Sequence, residues 1–120
     1  MEYQKDILLP YPPSTNALWR YTKRGVYRTA KYTKYIAECR QFHMHQEDPF
    51  DAPVKVQIWA CPPDKRIRDL DNLLKSLLDV CVKLGCLTDD HWIHDLRIKW
   101  DREVVAQGVK IRITLLGENA

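Results

Sequence analysis

Leu70, Leu73, Leu74, Leu77, Cys81 and Leu84 recur at steps of three and four residues, and Gly85 follows directly. That spacing sets the six side chains along one face of a helix, and Gly85 supplies the left-handed residue on which many helices end. Each buried apolar side chain contributes about 1.5–3 kcal/mol before entropy is charged, so such a helix must find an apolar surface to lie on. Val54-Lys55-Val56-Gln57-Ile58-Trp59-Ala60 provides one, because Val54, Val56, Ile58 and Ala60 fall on a single side of a strand. Val109 to Leu115 alternates in the same way, and Ile7-Leu8-Leu9 reads as a short strand stopped at Pro10.

The remaining segments fit around that pair. Arg24 to Thr29 predicts a short strand or hairpin arm, and Trp92 to Trp100 an irregular strand. Thr33 to Gln46 carries Tyr35, Ile36, Cys39, Phe42 and Met44 near helical spacing and ends at Asp48-Pro49. The order β, β, α, β, α, β, β predicts an α+β fold, a small single domain over residues 1–120 with two main helices packed on a mixed or antiparallel sheet.

No apolar run approaches the roughly 20 residues that span a bilayer. Met1 to Pro13 has neither the basic start nor the apolar core of a signal peptide, so the expected compartment is the cytoplasm. Cys39, Cys61, Cys81 and Cys86 have irregular spacing and read as small core residues rather than a zinc site or disulfide frame. The formal net charge of +3 is mild, but its distribution is not. Positive residues crowd into Arg20, Lys23, Arg24, Arg28, Lys31 and Lys34, and again into Lys65, Arg66 and Arg68.

The second basic group runs straight into Asp69-Leu70-Asp71, and Asp89-Asp90 follows the leucine-rich helix. Carboxylates this close repel one another, and a folded chain tolerates them in water or around a hard divalent cation, which takes oxygen ligands and often shares a substrate's phosphates. A basic approach to an acidic centre suits a polyanion meeting a metal. Plainer roles stay open beside that one. Asp69 can cap the helix, Asp71 can answer its dipole, Asp89-Asp90 can be a solvated turn, and Lys75 can pair with Asp71 at i, i+4. His91 and His94 read as partly exposed structural residues, and His43 and His45 have no role. Trp19, in the first basic region, is a candidate for stacking on unpaired bases.

Pro12-Pro13-Ser14 with Asn16, Pro63-Asp64 with its basic run, Arg68-Asp69-Leu70-Asp71-Asn72-Leu73 with Lys75, and Gly85 with Asp89-Asp90 together resemble the RusA family of Holliday-junction resolvases over nearly the whole chain. Ile67 breaks the basic run, and residues 20–32 are similar only loosely. The resemblance implies a homodimeric, magnesium-dependent endonuclease, with Mn²⁺ a possible substitute, that binds four-way or branched DNA and cuts two opposed strands. It implies that Asp69, Asp71 and Asp90 are catalytic and hold the metal, and that Lys75 is the essential lysine. Asp89, Asn72 and Asn16 are secondary candidates, and a phage or prophage origin fits. Lys65, Arg66, Arg68, Arg20, Lys23 and Arg24 are the expected DNA contacts. The dimer surface would come from a strand edge or from Tyr35, Phe42 and Met44. A branched-DNA-binding dimer without activity and a magnesium-dependent nucleotide phosphohydrolase are the competing readings.

Overall fold

A computed structural model describes residues 3–42, 48–103 and 108–117. In chain order the elements are β1 (Gln4–Pro10), a one-turn α1 (Thr15–Leu18), β2 (Trp19–Thr22), β3 (Gly25–Arg28), α2 (Ala30–Phe42) and β4 (Val54–Ala60). A 3₁₀ turn (Leu70–Leu73) leads into α3 (Leu74–Lys83), and a second 3₁₀ turn (Asp90–Trp92) precedes β5 (Ile93–Trp100) and β6 (Gly108–Leu115).

Period-two patterning forms the sheet. Ile7 and Leu9, then Val54, Val56, Ile58 and Ala60, then Val109, Ile111 and Ile113 are all buried, while their neighbours face the other way. The four strands lie in the order β1-β6-β4-β5. β6 is antiparallel to both β1 and β4, whereas β4 and β5 are parallel, so the sheet is mixed. Parallel neighbours cannot be joined by a tight turn, and α3 is the crossover between them. Tyr32, Tyr35, Ile36 and Cys39 of α2 join Leu77, Val80 and Cys81 of α3 and the sheet's inner residues in one core. The α+β architecture is the one that the patterning predicts.

The leucine stripe packs as its spacing requires, with Leu73 and Leu77 buried and Leu74 and Leu84 packed partly against the core. Gly85 adopts φ 80°, and the Cys86 amide reaches back to the Cys81 carbonyl at 2.9 Å, which closes the helix. The start differs from the reading. The path from Leu70 to Leu73 is 3₁₀, and Asp69, though at the cap position with extended φ −85° and ψ 127°, makes no side-chain capping bond. α2 begins earlier than the periodicity indicated, because the Thr29 hydroxyl accepts from the Tyr32 amide at 3.3 Å and caps it. The expected tail of that helix, including Met44, lies outside the described residues, as do His43 and His45.

The predicted arm at Arg24 to Thr29 is half of a two-stranded hairpin, β2 with β3. Its turn needs Gly25, whose φ is 136°. Every hairpin residue except the partly buried Trp19 is exposed, which leaves no alternation to read. Among the described residues no helix is long and apolar enough to cross a membrane. All four cysteines are buried thiols, and burial pushes those of Cys39 and Cys86 up to about 11, so these two stay protonated.

Candidate active site

Where β4 ends, the chain is pinned by Cys61 N donating to Gly108 O at 2.8 Å and Asp101 N donating to Ala60 O at 2.9 Å. The loop that follows is organised by Asp64. Its carboxylate accepts from the Arg66 amide at 2.9 Å, from Arg66 Nε at 3.2 Å, and from both terminal nitrogens of Arg68, one at 3.0 Å. The Arg68 guanidinium is the main reason that the Asp64 carboxyl sits well below the usual carboxylate range. Arg68 also lies over the Tyr11 ring at 5.6 Å, and Arg102 donates to the Asp64 carbonyl at 3.4 Å.

The braced loop forms one wall of a groove of about 710 Å³. Arg66, Ile67, Arg68, Asp69 and Asn72 line it together with Tyr11, Pro12, Pro13, Ser14 and Lys31. Two motif segments some fifty residues apart in the chain therefore line a single cleft. Ile67 is fully exposed at its rim. Lys65 and Arg66 are open to solvent, whereas Arg68 is mostly covered and committed to Asp64. The side chain of Asn16, at the start of α1, lies outside the described ones.

Asp71 is exposed in the 3₁₀ turn, and its carbonyl accepts from the Leu74 amide. Lys75 does not pair with it. The Lys75 ammonium sits 4.3 Å from the Trp19 ring centre and 5.3 Å from that of Tyr21, with the Tyr21 hydroxyl at 3.4 Å. Arg20, Lys23 and Arg24 are exposed on the same hairpin. The expected base-stacking role of Trp19 is corrected here. Its ring packs on Tyr32 at 4.8 Å and its other neighbour is Lys75, so it is not a free platform.

Asp89 and Asp90 lie elsewhere. Asp89 caps the second 3₁₀ turn, accepting from the His91 amide at 3.0 Å, and that bond lowers its pKa. A hydrogen bond with Asp89 raises the pKa of Asp90, since two adjacent carboxylates resist carrying two charges. His91 pairs with Asp89 at 3.1 Å, and His94 is exposed on β5. In the parallel register Ile93 is opposite Val54 and Trp100 opposite Ala60. The loop that carries Asp69 departs from Ala60, while Asp90 stands just before Ile93. The segments that carry the two acidic pairs thus join the β4–β5 pair at opposite ends, and those strand ends are about 20 Å apart at 3.3 Å per residue.

Among the described residues no three of His, Cys, Asp and Glu gather closely enough to share a metal ion. The donors themselves suit a hard cation, since Asp69, Asp71, Asp89 and Asp90 are exposed carboxylates and no thiol is available beside them. Tyr35, expected at a dimer surface, is instead buried with its hydroxyl donating to Pro10 O at 2.7 Å, whereas Phe42 is 66% exposed. Sequence reasoning gave no role to Tyr11, to Asp64 as a brace, or to Tyr21. The four-residue step from Asp64 to Arg68 was the one visible signal; the others depend on long-range contacts.

Residues 10–114 match the family model described as Endodeoxyribonuclease RusA. The crossover junction endodeoxyribonuclease of Enterobacteria phage HK97 is 37% identical over 117 residues, covering 96% of each chain. The proteins of that name from Escherichia coli K12 and Enterobacteria phage 82 are 31% and 32% identical, covering 92% and 91% of each chain.

Proposed function

The chain belongs to the RusA endodeoxyribonuclease family, and from that premise we propose that it is a magnesium-dependent, homodimeric endonuclease that resolves four-way DNA junctions by paired incisions. The observation that carries the reading is the basic groove in which the Pro12-Pro13-Ser14 and Arg66-to-Asn72 segments meet beside Asp69. Lys65 and Arg66 grip phosphates of the strand to be cut, and Arg68, held by Asp64, fixes the loop that presents Asp69 and Asp71. The cut needs a third carboxylate, and within one subunit Asp90 stands at the far end of the strands. The site is therefore completed across a two-fold dimer, by Asp90 of the partner subunit. A four-way junction has two-fold symmetry, and a symmetric dimer presents two such sites to opposed strands.

Asp69, Asp71 and that third carboxylate would hold Mg²⁺ or Mn²⁺. The chemistry supplied by the bound ion is neutralisation of the scissile phosphate and activation of a water for in-line attack. Lys75 adds a compact positive charge against the charge that develops on the phosphate oxygens. Asp89, which holds the turn before β5 through the His91 amide, orients Asp90. The absent Asp69 cap and the unpaired Asp71 weigh against a protein whose aspartates serve only as helix furniture.

The test is incision of a synthetic four-way junction and of linear duplex, with and without Mg²⁺, for wild type beside Asp71→Asn. Wild type should nick only the junction, in opposed strands and only with the metal. Asp71→Asn should bind the junction at least as well and cut at least a thousandfold less, on the order seen when an essential catalytic group is removed. Normal cutting by the variant would end the assignment.

A further inference from the structure

We propose that Trp19 and Tyr21 form an aromatic cage that positions the Lys75 ammonium for phosphodiester cleavage and ties it to the basic hairpin. The inference rests on the reading above that Lys75 acts in the reaction. A lysine one turn after an aspartate on a helix ordinarily leans toward it. Here the ammonium turns instead to two ring faces and a hydroxyl, 4.3 Å from the centre of Trp19, 5.3 Å from that of Tyr21 and 3.4 Å from the Tyr21 oxygen. An exposed carboxylate interacts weakly through water, whereas the faces of Trp and Tyr attract a cation through their quadrupoles. The consequence is chemical. An ammonium held by uncharged rings leaves the Asp71 carboxylate unneutralised and free for a cation, and keeps its own charge available for a phosphate.

The cage is fastened to the helix that bears Lys75. Trp19 packs against Tyr32 at 4.8 Å, and the Tyr32 hydroxyl donates to Asp79 of α3. The hairpin base is tied by Thr29, whose amide donates to Leu18 O at 2.9 Å and whose hydroxyl donates to Ala17 O at 2.6 Å. Tyr21 shares its strand with Arg20 and stands beside the turn carrying Lys23 and Arg24. A phosphate backbone seated on Lys23 and Arg24 at the hairpin turn would be registered against the same hairpin whose rings aim Lys75. Trp19 and Tyr21 are positioning residues.

Tyr21 is 60% exposed, so its substitution leaves the core intact. In single-turnover cutting of a four-way junction by excess enzyme, Tyr21→Leu should be about tenfold slower, while junction affinity measured in Ca²⁺ stays within about twofold. Tyr21→Phe keeps the ring face and should cut within about threefold of wild type. The cage is read separately by ¹³C-dimethylating the lysines of the full chain. The Lys75 signal, identified by its loss in Lys75→Arg, should be displaced upfield by the rings and return toward the other lysines in Tyr21→Leu. Wild-type cutting by Tyr21→Leu, or a Lys75 signal without ring displacement, would overturn the inference. Wild-type cutting by Lys75→Ala would instead overturn the reading on which it rests.

Discussion

Arg66 and Arg68 carry the same charge two residues apart, yet the fold gives them different tasks. The Arg68 fork is spent on Asp64 and its side chain is 21% exposed, whereas that of Arg66 is 79% exposed and touches Asp64 through Nε alone. A planar guanidinium engaged in two parallel bonds is a brace, and one that keeps its outer nitrogens in water can change partners for a phosphate. Arg66→Ala is therefore expected to weaken junction binding and to lower the slope of log affinity against log salt by about one, the value of a single lost phosphate contact. A salt titration of binding at several ionic strengths checks it, and an unchanged slope would take Arg66 off the DNA surface.

At the scale of elements, α3 connects two parallel strands and also carries Lys75, the lysine proposed to act on the phosphate, so its seating bears on more than stability. Leu77 is fully buried between sheet and helix. Leu77→Ala should cost about 2–5 kcal/mol, measured as a lower urea midpoint, because transfer free energy is lost and a cavity remains. The β1–β6 pair at the other edge of the sheet has an electrostatic clasp. Arg112 Nε donates to Asp6 at 2.8 Å and its second nitrogen at 3.1 Å, with Lys110 at 3.8 Å. The Arg112 hydrogen bond is the main reason that the Asp6 carboxyl is held below its ordinary value of 3.8. A carboxylate lowered in the folded state stabilises above its unfolded pKa, and that contribution is lost as pH falls through the folded one. Urea midpoints should therefore fall as pH drops below about 4, and Asp6→Asn should fall less steeply.

For the whole molecule, the decisive fact is that Asp69 and Asp71 stand at one end of the parallel strands and Asp90 at the other. A site shared between subunits makes a specific forecast for mixed dimers. When Asp71→Asn and Asp90→Asn chains are combined, each dead alone, the heterodimer holds one defective site and one assembled entirely from wild-type carboxylates. Mixing should therefore restore nicking of one strand per junction, visible on a denaturing gel. Sites contained within single subunits would leave every dimer inactive, and a mixture that never nicks would show the shared arrangement to be wrong.

Much of the fold was legible because its causes are local. The two-residue period of Val54 to Ala60 and Val109 to Leu115, the stripe from Leu73 to Cys81 and the left-handed Gly85 each act within a few residues, and they fixed the α+β class and the helix end. The spacing of Asp69 to Lys75 and of Asp89-Asp90 displayed, in the same local way, types of donor in a recognisable order, and the proposed chemistry rests on them. Tertiary structure alone decided which of these groups could meet. The parallel pairing of β4 with β5 set the acidic pairs apart, the Pro12–Ser14 segment came to line one groove with Asp69, and Lys75 was turned from its helical neighbour toward rings more than fifty residues away. Sequence determines what each segment can do over its own few residues; contacts between distant segments depend on how all of them pack into one core, and no local pattern carries that information.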